Sequence, residues 1–201
     1  TINADSLEWM KAAEAGQFDV ILTDPPYGMG ADTFGDSGGI AAGAHAYVDD
    51  AETLTKILAV LGPESYRLTK DEAHLYCFCD IGQFALLSGT FAAAGWNVFR
   101  TPLIWHKPNG SRAPWPENGP QRKYETILYA VKGKKKVTKI FGDVISCDSD
   151  TNLGHAAQKP VELLKNLLGR SCVPGNRVFD PFSGTGSLLP AAHDLQLYAT
   201  C

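Results

Sequence analysis

Phe18-Asp19-Val20-Ile21-Leu22-Thr23 is a short apolar run that stops abruptly at Asp24-Pro25-Pro26-Tyr27. A run of this kind, with little polar alternation, is the pattern of a strand covered on both faces, and such strands belong to sheets with helices on either side. His74–Cys79, Trp96–Trp105, Thr126–Val131 and Arg177–Asp180 also read as strands. Helical patterns cover Asp50–Leu61, Ile81–Ala94, Lys159–Leu168 and a stretch from about Ser187. Pro160 fits the first turn of its helix, where a missing N–H costs nothing. Strands alternating with helices predict an α/β domain with a mostly parallel central sheet flanked by helices.

The 201 residues, 44% hydrophobic and 20% charged, are enough for one buried core. Collagenous, low-complexity and disordered classes are excluded. No segment approaches the roughly 18–20 apolar residues of a bilayer span, and the N-terminus carries no signal pattern. A cytoplasmic protein without a membrane partner is expected. The five cysteines are odd in number and never spaced C-x-x-C, so neither a disulfide framework nor a metal site is expected. Cys77 and Cys79 share one face of a buried strand and read as small core residues.

The formal charge of −4 is unevenly spread. Residues 100–140 hold ten Lys or Arg against Glu117 and Glu125, a net +8, and the remainder carries −12. Clustered cations on an acidic protein suit a polyanion, because each neutralised phosphate releases counterions. Lys132–Lys136 read equally as a solvated hairpin turn. Between Gly28 and Val48 lie six glycines in 21 residues, a loop long enough to expect function of it. Ordering so many glycines is entropically costly, so a lid that closes over a ligand is predicted.

Two motifs carry chemistry. Asp24-Pro25-Pro26-Tyr27 follows the first strand directly, and ligands of open α/β sheets bind at strand carboxyl ends. The prolines fix φ and remove two donors, leaving carbonyls that only accept. An exocyclic amine is a poor nucleophile while its lone pair is delocalised into its ring. Accepting its two protons on Asp24 and the Pro25 carbonyl would localise that pair, and Tyr27 could stack on the ring. A plain strand-ending turn is the competing reading. The second motif, Phe179-Asp180-Pro181-Phe182-Ser183-Gly184-Thr185-Gly186, is a strand, a glycine turn and a helix start, able to bring backbone N–H groups close to a ligand.

In this order the two motifs resemble the permuted β class of S-adenosylmethionine-dependent amino-methyltransferases of DNA, which act on adenine N6 or cytosine N4. Gln158-Lys159-Pro160 resembles that family's Q-K-P helix start, Trp105-His106-Lys107 its W-x-K element, and Arg122–Gly133 its E-x-I-L-x-x-x-K-G strand. Asn3-Ala4-Asp5 resembles its G-D strand end. The resemblance implies a single Rossmann-like domain over residues 1–201 with circularly permuted motif order. A catalytic half would span 1–100, a basic DNA-contacting region 101–150, and a cofactor-binding half 151–201 that ends before the acid expected on the ribose.

It further implies S-adenosylmethionine as cofactor, held by Asp5, Lys159, Asp180, Pro181, Phe182, Ser183, Gly184, Thr185 and Gly186, with Lys159 on the methionine carboxylate. Asp24, Pro25, Pro26 and Tyr27 would be catalytic on a flipped-out adenine, since the adenine enzymes usually carry D-P-P-Y. Lys107, Arg112, Arg122, Lys123, Lys134, Lys135 and Lys136 would bind DNA. A restriction-modification setting and a homodimer are compatible with it. Cytosine N4, a protein or RNA amine, and a nucleic-acid-binding module without cofactor remain alternatives. A C5-cytosine mechanism is rejected, because no Pro-Cys pair occurs.

Overall fold

The computed structural model describes residues 2–27, 51–109, 123–149 and 158–201. Among them the chain runs α1 (Ser6–Ala12), β1 (Phe18–Thr23), α2 (Ala51–Leu68), β2 (Thr69–Cys79), a 3-10 turn (Ile81–Gln83), α3 (Phe84–Ala93), β3 (Asn97–Val98) and β4 (Leu103–His106). It continues as β5 (Tyr124–Lys132), β6 (Val144–Ser146), α4 (Val161–Gly169), β7 (Arg177–Phe179), α5 (Leu188–Asp194) and β8 (Tyr198–Thr200). The expected lid at 28–48 lies outside the described residues.

One sheet has the order β6-β4-β5-β2-β1-β7-β8, with β3 also paired to β5. β1 is buried along its whole length, as its apolar run requires. β2, β1, β7 and β8 are parallel neighbours. Among the described strands β5 alone is reversed, antiparallel to β2, β3 and β4, while β4 and β6 pair in parallel, so the sheet is mostly parallel, as expected, with one reversed strand. The reason is connectivity: β5 follows β4 as its pairing partner with no described crossover helix, and such pairs run antiparallel. Alternation along β2 separates two apolar layers. Ala73, Leu75, Cys77 and Cys79 pack with α1, α2 and α3, whereas Tyr76 and Phe78 pack with α4 and α5. None of the five cysteines is joined in a disulfide.

Several boundaries differ from the local signals. α2 continues through Gly62-Pro63, where a stop was expected, because a Cβ on Gly62 would come within 2.9 Å of the Thr90 methyl and glycine is needed for close packing on α3. Trp96–Trp105 divides into β3 and β4 around Pro102. Pro160 is the N-cap of α4 rather than part of its first turn. α1, β6 and β8 are too short to announce themselves by periodicity. The C-terminal carbonyls of α1 are satisfied by Arg67 of α2, whose guanidinium donates to Met10 and Ala13 at 2.7 and 2.8 Å. Beyond β8 the Ile2 N–H donates to the Cys201 carbonyl at 2.7 Å, which brings Asn3–Asp5 beside the last strand.

The core of the α4/α5 side holds a polar chain. His74 is fully buried, with Nδ1 2.6 Å from Ser171 Oγ and Nε2 3.1 Å from the Lys135 carbonyl. A carbonyl only accepts, so Nε2 carries the hydrogen, Nδ1 accepts from Ser171, and Ser171 accepts from the Tyr76 hydroxyl at 2.6 Å. Burial pushes the His74 pKa down to about 4, against the raising effect of the Lys135 carbonyl. Because the unfolded chain takes up this proton near pH 6.5 and the folded chain does not, stability falls as pH drops through that interval. A loss of about 3 kcal/mol between pH 6.5 and 4, absent from His74→Asn, is expected in urea unfolding titrations.

Candidate active site

β1 and β7 are parallel neighbours with Ile21 opposite Phe179, so Asp24 and Asp180, which follow them, leave the same edge of the sheet. This is the carboxyl edge, where open α/β sheets bind ligands. The end of β2 and the start of β5 meet there too, through the Cys79–Thr126 pair.

Both oxygens of Asp24 are engaged. Oδ1 accepts from the Tyr27 hydroxyl at 2.7 Å and Oδ2 from the Lys159 ammonium at 2.6 Å. A carboxylate has about four acceptor positions, so room is left for a further donor. Burial drives the Tyr27 phenol pKa well above its usual value, and the Asp24 charge adds to it, so the hydroxyl stays protonated and donates. Pro25 is buried and Pro26 half-buried.

Lys159 faces a second carboxylate, with Nζ 3.4 Å from Glu125 Oε2, and Glu125 Oε1 is taken by Lys107. Asp24, Lys159, Glu125 and Lys107 thus form a row of alternating charge, each side chain at most about a quarter exposed. Burial works against the Lys159 ammonium but is outweighed by Asp24 and Glu125, so its pKa is raised. Burial likewise opposes the Glu125 carboxylate, and Lys159 and Lys107 more than offset it, leaving its pKa below the ordinary range.

Beside this row, Asp180 is partly accessible yet deep enough that burial pushes its carboxyl up to about 7, against the Phe182 N–H donating to it at 3.0 Å. Gly184 and Gly186 hold φ of 48° and 79°, the left-handed region that favours glycine. Pro181 and Ser183, which lead into that turn, line a cleft with Ile2, Ala4 and Thr200. Trp9 of α1 backs it, 5.1 Å from the Phe179 ring.

The residues expected on the cofactor therefore divide. Pro181 and Ser183 line the cleft, whereas Asp5 caps α1 by accepting from the Glu8 N–H at 3.0 Å. Lys159, expected on a methionine carboxylate, is bound to Asp24. The residues expected on DNA divide as well. Lys107 is committed to Glu125, and Lys123 donates to the Pro108 carbonyl at 3.1 Å near the active edge. Arg112 and Arg122 lie outside the described residues. Lys134, Lys135 and Lys136 follow the far end of β5, which at about 3.4 Å per residue places them roughly 27 Å from its start.

Glu125 was the residue to find. It shares strand parity with Ile127 and Tyr129, which pack on the α4/α5 side, and Lys107 shares parity with Leu103 and Trp105. A charged residue at an inward position of an apolar strand is the signal that marks both.

Known proteins resemble this chain in sequence and in fold. The protein YubD of Escherichia coli (strain K12), named as a methylase, is 27% identical over 95% of this chain and 78% of its own length. The crystal structure of an M1.HpyAVI–SAM complex superposes with a TM-score of 0.72 at 21% identity, covering 98% of this chain and 88% of that one. PvuII DNA methyltransferase, cytosine-N4-specific, superposes with a TM-score of 0.75 at 14% identity, covering 98% and 78%. These structural likenesses establish the α/β fold. The family model for DNA methylases of the N6/N4 type matches residues 18–151 and 138–199, a span that takes in the Asp24 row and the glycine turn alike, and the chain belongs to that family.

Proposed function

We propose that this chain transfers a methyl group from S-adenosylmethionine to the exocyclic N6 amine of adenine in DNA. The observation that carries the reading is the Asp24 carboxylate, paired with a buried ammonium and set beside the glycine turn of Asp180–Gly186. The cleft suits the cofactor: Trp9, Phe179 and Pro181 supply an apolar wall, and the left-handed turn of Gly184 and Gly186 follows directly in the chain. When bound there it supplies an electrophilic sulfonium methyl. On the same reading the motif order is circularly permuted, the catalytic motif preceding the glycine turn.

Asp24 accepts one amine proton and the Pro25 carbonyl the other, which localises the nitrogen lone pair towards the methyl. The proton that methylation would leave in surplus on the amine is taken by Asp24 and passes to solvent. Lys159 stabilises the carboxylate that performs this role. The Tyr27 ring, anchored through its hydroxyl to Asp24, stacks on the flipped base. Phosphate contacts gather near β4 and the start of β5, where Lys123 stands. The D-P-P-Y motif favours adenine N6 over cytosine N4. Incubating the protein with duplex DNA and labelled S-adenosylmethionine, then digesting to nucleosides, tests this. N6-methyladenine is the expected product; N4-methylcytosine would move the substrate to the other amine, and no labelled nucleoside would overturn the reading.

A further inference from the structure

Glu125 and Lys107 do not reach the base in the mechanism above, yet they close the inner end of the charged row. Trp105 pairs with Glu125 across β4 and β5, so Lys107, two residues on, is its diagonal neighbour on the same face. Lys107 binds Glu125 Oε1 and lies 4.3 Å over the Trp105 ring. Glu125 Oε2 is buried and, among the described residues, makes no hydrogen bond. The cation facing it is Lys159, at 3.4 Å, and that cation is already on Asp24 at 2.6 Å.

One ammonium is thus offered two carboxylates. In a poorly solvated cluster it settles on the one less neutralised by other groups. Asp24 has the Tyr27 hydroxyl and Lys159; Glu125 has Lys107 for itself.

We propose that Glu125 and Lys107 are positioning residues: Lys107 occupies Glu125, so that Lys159 stays on Asp24 and Asp24 stays an available carboxylate for the target amine. The proposal rests on the reading of Asp24 as the proton acceptor. It has a consequence of definite sign. Lys107→Met frees Glu125 to draw Lys159 away from Asp24, whereas removing Glu125 as well takes away the competitor.

Single-turnover transfer by Lys107→Met is expected to fall about 10- to 100-fold, the scale of a displaced catalytic contact. The double variant Lys107→Met/Glu125→Gln is expected to recover most of that loss, and Lys107→Arg to retain most of the wild-type rate. A crystal structure of Lys107→Met should show Lys159 Nζ within hydrogen-bond distance of Glu125 and withdrawn from Asp24. A double variant no faster than Lys107→Met, or Lys159 unmoved in that structure, overturns the positioning role. If Lys107→Met does not fold, Lys107→Gln takes its place with the same order of rates expected. Asp24→Ala is run alongside. Normal transfer by Asp24→Ala removes the underlying reading and the proposal with it, while an inactive Asp24→Ala with no recovery in the double variant removes the positioning role alone.

Discussion

Replacing Asp24 with alanine is expected to lower single-turnover methyl transfer by about 10²- to 10⁴-fold, the usual scale for a positioned acid–base group. The loss should lie in the transfer step. Folding survives, because the ammonium left by Asp24 still has Glu125 at 3.4 Å and is not orphaned. Binding of S-adenosylmethionine, measured by calorimetry, should change little, because the glycine turn of β7 is built by its own residues. Asp24→Asn keeps an acceptor oxygen and should retain more activity than Asp24→Ala. Tyr27→Phe loses the 2.7 Å anchor on Asp24 but keeps the ring, and should be milder than Tyr27→Ala. Near-normal transfer by Asp24→Ala would sink the mechanism; lost cofactor binding would instead place Asp24 in the cofactor cleft.

Lys159→Met should be as damaging to transfer and, unlike Asp24→Ala, should also destabilise the fold. It leaves two carboxylates, Asp24 and Glu125, in a little-solvated cluster with only Lys107 to offset them. Breaking a buried ion pair costs about 3–5 kcal/mol, or roughly 10 °C in melting temperature for a domain of this size. The pH dependence has a checkable sign. With Lys159 present the Glu125 pKa is depressed, so the pair contributes stability above the unfolded carboxylate pKa that is lost as pH falls below it. Without Lys159, burial of the Glu125 carboxylate is opposed by Lys107 alone, and its protonation relieves the cluster. Acidification from pH 7 to 5 should therefore narrow the gap in melting temperature between Lys159→Met and wild type. A gap that stays constant or widens would show that Lys159 does not hold these charges.

The placement of the two motifs was legible in the chain because its signals are local. An apolar run closed by two prolines makes β1 and its end, and glycines that adopt φ of 48° and 79° make the turn after β7. Strand parity is local too, which is why Cys77 and Cys79 could be read as core residues of one face.

A charge in a sequence has a sign but no direction. Lys159 and Asp24 are 135 positions apart, and only the neighbouring of β1 with β7 and the approach of α4 bring that ammonium to the Asp24 carboxylate. The basic stretch from Arg100 to Lys139 reads as one surface, yet β5 runs away from the active edge, so Lys123 stays near it and Lys134–Lys136 are carried to the far end. Lys132 is half-buried and turned inward, donating to the Tyr66 and Thr69 carbonyls at 2.7 and 2.9 Å. Local patterning determined which residues form strands and turns and where reactive side chains leave them. Strand order and direction, set by packing between distant segments, decided which charges meet, because an ion pair depends on separation in space and not along the chain.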